Sequence, residues 1–164
     1  MNPYAVTNKP GYRWVILVSA TLTLAVVAGI LYSYGVYFKP LAADFPYGRA
    51  SIAGVYSTFV ICHGLFGIPA AWLADRFGTR RIMVLAGLLS GAGLLLSGQV
   101  TALWQLYLSF GLVAAIGVSA AFPVCTSTTA RWFTDHRGMA LGVVAGGIGI
   151  GTLLFVPIAE RLVS

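Results

Sequence analysis

Charge is what this chain has least of. Only 9% of its 164 residues are charged, against roughly 25% in soluble domains. Hydrophobic residues make up 59%, and the mean hydropathy is +0.88. One globular core of this size cannot hide that much apolar surface, so the solvent for most of the chain is lipid. Acidic residues are scarcer still, 4 against 10 Lys and Arg, for a net charge of +6. The basic residues sit at the ends of apolar runs. That placement reads as orientation in a membrane and sets nucleic acid aside as a partner. Cysteine is nearly absent too. Cys62 and Cys125 both lie inside apolar runs with no CxxC or Cys/His ligand spacing, which predicts small packing residues and no disulfide, metal or other cofactor. No nucleophile, base and orienting group occur together, so an enzyme is not expected.

What is present is a set of five apolar runs. A bilayer core of roughly 30 Å needs about 20 helical residues at about 1.5 Å each. Runs at about 14–38, 51–74, 82–99, 102–128 and 139–159 meet or approach that length, and none carries Asp, Glu, Lys or Arg deep inside. They predict an all-α membrane protein with five transmembrane helices. The first run is too long for the apolar region of a cleaved leader, so it is expected to remain as a span. Residues 1–13, with Pro3, Lys9 and Pro10, are expected to be a short polar tail. Lys39-Pro40 is expected to stop the first helix, with a loop from Leu41 to Arg49. Pro69 and Pro123 should kink the second and fourth. Thr134 or Asp135 is the expected N-cap of the fifth. Trp14, Tyr32, Tyr34 and Tyr37 lie toward the ends of the first run, where amphipathic rings favour the interface.

Five crossings divide the basic residues between two faces. Lys9, Arg13, Arg76, Arg80, Arg81, Arg131 and Arg137 share the N-terminal side. Lys39, Arg49 and Arg161 fall on the other. The positive-inside tendency places the N-terminus in the cytoplasm of a multi-pass protein of the cell (plasma or inner) membrane.

The fifth run contains two four-residue glycine spacings, Gly142/Gly146 and Gly147/Gly151. Small residues at that spacing let another helix approach closely. A nucleotide-binding loop is excluded, because no strand precedes the glycines and the fingerprint spacing is wrong. Ionisable groups inside a membrane mark substrate or proton sites. The one candidate is His63, which is expected to face the bundle interior, either as a proton or substrate site or as a neutral cross-helix hydrogen bonder. Tyr32 and Tyr34 are the other candidate cavity residues, since a phenol donates to a carboxylate without carrying charge.

Between the second and third runs stands Asp75-Arg76-Phe77-Gly78-Thr79-Arg80-Arg81, read as a tight loop on one face of the bilayer. It resembles the loop between the second and third helices of major facilitator transporters at Asp75, Arg76, Gly78, Arg80 and Arg81. Ala71 stands where that family usually has glycine. The segment Arg131 to Gly142 resembles the entry to the fifth helix in the monocarboxylate and oxalate/formate antiporter-like branch. So does Tyr34-Gly35-Val36-Tyr37-Phe38-Lys39-Pro40 at the end of the first run. Pro10-Gly11-Tyr12-Arg13-Trp14 matches the monocarboxylate signature only in part.

The resemblance implies five helices of an incomplete six-helix N-terminal half, 14–164, of a major facilitator fold. It implies secondary active transport of a small organic anion, a mono- or dicarboxylate, by alternating access, with a proton or a counter-anion as co-substrate. The missing C-terminal half would be a partner, together with the lipid bilayer. Asp75 would cap a helix of that half and hold the outward-facing state, with Arg76, Gly78, Arg80 and Arg81 as the surrounding gating loop. The fourth run lacks the intramembrane Arg, and the first the intramembrane Lys, used for proton coupling in parts of the family. A tyrosine-rich cavity is the closer match. The alternatives are a non-transporting helical membrane scaffold or a facilitator for another solute class.

Overall fold

A computed structural model of the chain describes residues 10–44 and 48–163. The described residues form five long helices and no strand. We label them α1 (Pro10–Asp44), α2 (Arg49–Phe77), α3 (Thr79–Ser97), α4 (Leu103–Trp132) and α5 (Arg137–Val163). Each contains a stretch long and apolar enough to cross a membrane. Most of the expected tail, residues 1–9, and loop residues 45–47 lie outside the described residues.

Several expected boundaries are corrected. Pro10 to Arg13 belong to α1 and not to a tail. The helix also continues past Lys39-Pro40 to Asp44. A proline removes one backbone donor, while Leu41, Ala42 and Ala43 beyond it are strong helix formers. The loop between α2 and α3 shrinks to Gly78 alone, at φ 96° and ψ 134°. Only glycine adopts that conformation cheaply. Asp75 and Arg76 therefore lie in the last turn of α2, and Arg80 and Arg81 in the first turn of α3. Helix α5 starts at Arg137. The His136 carbonyl accepts from the Ala140 amide at 3.1 Å, so His136 holds the cap position expected for Thr134 or Asp135.

Helix α4 is the core. Its apolar stretch is 67% buried within the chain, against 33% for α1, the next highest. It packs on all four other helices. Gln105 Oε1 accepts from the Thr101 amide at 2.9 Å and caps its start. Residues Tyr107–Ala114 form wider π-helical turns. Around that stretch Gly111 seats against Thr58 of α2, and the Ser97 hydroxyl of α3 bonds to Ser109 at 3.0 Å. A turn at Ala120 then interrupts the helix. Pro123 explains it, because its ring cannot accept the carbonyl four residues earlier, that of Ser119, in regular helical geometry.

Glycine sets the closest seams. On α3 and α4, a Cβ on Gly93 would lie 2.5 Å from the Ala114 nitrogen, and one on Gly117 would strike the Ser90 backbone. On α1 and α5, a Cβ on Gly147 would meet the Thr21 carbonyl oxygen at 2.5 Å, and one on Gly151 would strike the Ala25 carbonyl. Gly142 and Gly146 have no neighbour within 4 Å of that position, so within this bundle they are not packing residues. The two ladders are offset by five residues, about 140° around the helix. Only one of them can face α1.

Candidate cavity and the basic end of the bundle

Helices α1, α2, α4 and α5 line an open cavity of about 490 Å³ that α3 does not border. The walls are mostly apolar: Leu24, Val27, Ala28 and Leu31 from α1, Ile68 and Ala71 from α2, Phe122 and Pro123 from α4, and Ile148 from α5. Three side chains bring polarity, namely Tyr32, His63 and Ser119. Gly64 and Gly67 of α2 also line it. Their missing side chains leave the volume open beside His63. The interruption at Ala120 occurs where α4 borders this space.

Two of the three expected cavity residues meet here. Tyr32 and His63 share the wall, although 31 positions separate them in the sequence. Tyr34 does not line this cavity but borders two others. It is 6% exposed, and its hydroxyl donates to the Ile52 carbonyl at 2.8 Å. Its ring stacks on Phe110 at 4.9 Å and on Tyr56 at 5.5 Å between centroids. The reason is helical geometry. Two positions along a helix are about 200° apart, so only Tyr32 reaches this cavity, while both tyrosines border a second cleft beside Tyr56 and Ser57. Tyr34 is a brace between α1 and α2. The stack continues through Phe59, 4.8 Å from Phe110, to the edge of the His63 ring at 6.2 Å.

Tyr107 belongs to the same brace. Its hydroxyl donates to the Ser51 carbonyl at 2.7 Å and occupies the space a Cβ on Gly54 would need. Nothing in the sequence near Tyr107 signals this pairing, because the partners are 56 positions apart.

The opposite, basic end of the bundle is held differently. The Arg131 guanidinium donates to the Asp75 carboxylate at 2.6 Å, joining the end of α2 to the end of α4. Both side chains are largely exposed. Arg76 lies over the Trp72 and Phe77 rings at 5.2 and 5.7 Å, a cation–π arrangement. Arg137 Nε donates to the Ala130 carbonyl at 3.0 Å and closes the turn into α5. Tyr12 packs on Trp132 at 5.4 Å and Trp14 on Phe133 at 6.2 Å, fastening the start of α1 to the end of α4. Arg80 and Arg81 are exposed at a helix N-terminus, against the dipole, which favours anions there. The helical register of α3 therefore does not account for them. No group of three or more potential metal-ligating side chains occurs among the described residues.

A family model described as Major Facilitator Superfamily matches residues 20–164. The chain is 31% identical over 155 residues to monocarboxylate transporter 13 of Rattus norvegicus, covering 94% of this chain and 36% of that protein. It is 30% identical over 158 residues to the oxalate:formate antiporter of Oxalobacter formigenes, covering 96% and 38%. With human monocarboxylate transporter 11 it shares 28% over 154 residues, 94% of this chain and 33% of that one. The chain thus spans little more than a third of the length of these relatives.

Proposed function

Because the chain belongs to the major facilitator superfamily, a family of multi-pass membrane transporters rather than enzymes, we propose that it forms the first five helices of a carrier for a small mono- or dicarboxylate. The observation that carries this reading is the cavity between α1, α2, α4 and α5. Its 490 Å³ falls inside the range of about 300–1,000 Å³ typical of small-ligand sites. Its polar groups are few, as is usual in an apolar ligand pocket. Two relatives named for monocarboxylate and for oxalate and formate support the substrate class. In this reading the remaining helices complete the cavity, and transport proceeds by alternating access around it.

The basic end is the cytoplasmic face, with the N-terminus on the same side in the cell membrane, by the distribution of Arg and Lys. Asp75, Arg76, Gly78, Arg80 and Arg81 form the gate there. Asp75 holds Arg131 in this structure, and in the outward-facing carrier it meets the helices of the second half.

The test is uptake of labelled lactate, oxalate and formate by vesicles holding the full-length protein. Accumulation of at least one above empty vesicles is expected. Uptake of none, with sugar, nitrate or drug transport in its place, points to another facilitator branch. No transport of any solute leaves a scaffold.

A further inference from the structure

We propose that His63 is the proton-carrying group of the cavity, so that a carboxylate binds beside a protonated imidazole and leaves when that proton leaves. This inference rests on the anion-carrier reading above. His63 projects from α2 into the cavity wall and is half-buried. Its ring contact is Phe59, at 6.2 Å between centroids and tilted by 66°, a side chain with no charge and no oxygen or nitrogen acceptor for a ring N–H. From α1 the cavity receives Tyr32, from α4 Ser119, and from α5 only Ile148. The Ser119 hydroxyl already donates to the Ile116 carbonyl at 2.7 Å. Among the described residues no acidic or basic side chain faces His63 from these elements, and an imidazole is the side chain that ordinarily changes charge between about pH 5 and 8. Along α2 the nearest carboxylate is Asp75, twelve positions away, about 18 Å along the helix, and it is engaged by Arg131.

The chemistry follows from that isolation. A carboxylate entering an apolar cavity loses its hydration, at a cost that only a counter-charge and hydrogen bonds offset. Neutral imidazole has one N–H donor. Protonated imidazole has two, and a positive charge. A proton taken from water on the entry side onto the free ring nitrogen thus raises anion affinity, and by reciprocity the bound anion raises proton affinity. When the cavity opens to the far side, the anion departs, the unpaired charge becomes costly, and the proton returns to water there. One anion and one proton cross together, and charge balances.

The experiment uses the full-length protein in phosphatidylcholine–phosphatidylglycerol vesicles, with the pH equal inside and outside. Uptake of labelled lactate, oxalate and formate is followed from pH 5.5 to 7.5. Wild-type uptake should fall severalfold or more from the acid to the neutral end of that range, as the charged fraction of an imidazole does when pH rises. His63→Gln, which keeps a donor but not a charge, should give low uptake with a flat profile. His63→Arg, charged throughout, should also be flat. A flat wild-type profile overturns the inference without any variant. So does either variant retaining the wild-type pH dependence, while anion transport itself survives. Absence of uptake of all three anions by the wild type overturns the carrier reading, and this inference with it.

Discussion

Asp75 and Arg131 meet at 2.6 Å across 56 positions of sequence, tying the end of α2 to the end of α4. As a contribution to stability the pair is small. Both partners are largely exposed, and such pairs are worth about 0–1 kcal/mol in water. In the proposed gate its role is conformational, because a weak exposed pair is readily exchanged for another partner. Asp75→Asn in the full-length protein should lower uptake at least tenfold while leaving membrane expression near the wild-type level. Uptake and surface expression measured together check this, and wild-type turnover would remove Asp75 from the gate.

The two glycine ladders of α5 make a contrasting pair. Gly151→Val places atoms against the Ala25 carbonyl backbone. Overpacking of this kind costs about 1–3 kcal/mol or more when backbone must move, and it should lower the melting temperature of the purified carrier by several degrees. Gly146→Val meets open space within this bundle and should leave the α1–α5 seam intact. Equal loss in both variants, read by thermal unfolding in detergent, would argue against the seam described here.

Tyr34→Phe removes a buried donor to the Ile52 carbonyl and should cost about 0.5–1.5 kcal/mol of stability with little change in substrate affinity. Tyr32→Phe should do the reverse, raising the KM for the anion with stability unchanged. Paired melting curves and concentration-dependent uptake separate the two. A shared phenotype would mean that the brace and the cavity wall are not separate roles.

Gly78→Ala should destabilise the α2–α3 turn. Its φ of 96° with ψ of 134° lies in a region where a side chain costs on the order of 1–3 kcal/mol. Limited proteolysis near the turn gives the readout. Unchanged cleavage and melting would show that the turn relaxes to another conformation.

The five helices were legible because apolar length is a local property, and each run shows it without reference to the others. His63 was legible as the one basic or acidic side chain deep within an apolar run. What failed was orientation. Tyr32 and Tyr34 look equivalent in the sequence and differ only by rotation about α1. The Gly142/Gly146 and Gly147/Gly151 spacings are identical in pattern, yet α1 covers only one of them. Boundaries failed where a single residue decides them, as Gly78 does by ending two helices at once. The Asp75–Arg131 pair and the Tyr107–Ser51 bond had no local signal, since each joins residues 56 positions apart.

The seam at Gly147 and Gly151 has one last consequence. Where two backbones touch with no side chain between them, nothing is left to compress or swivel. Helices α1 and α5 must then travel as one girder, and so must α3 and α4 across Gly93 and Gly117. Any rearrangement of this bundle has to come at the joints that side chains fill, because these two are masonry already set.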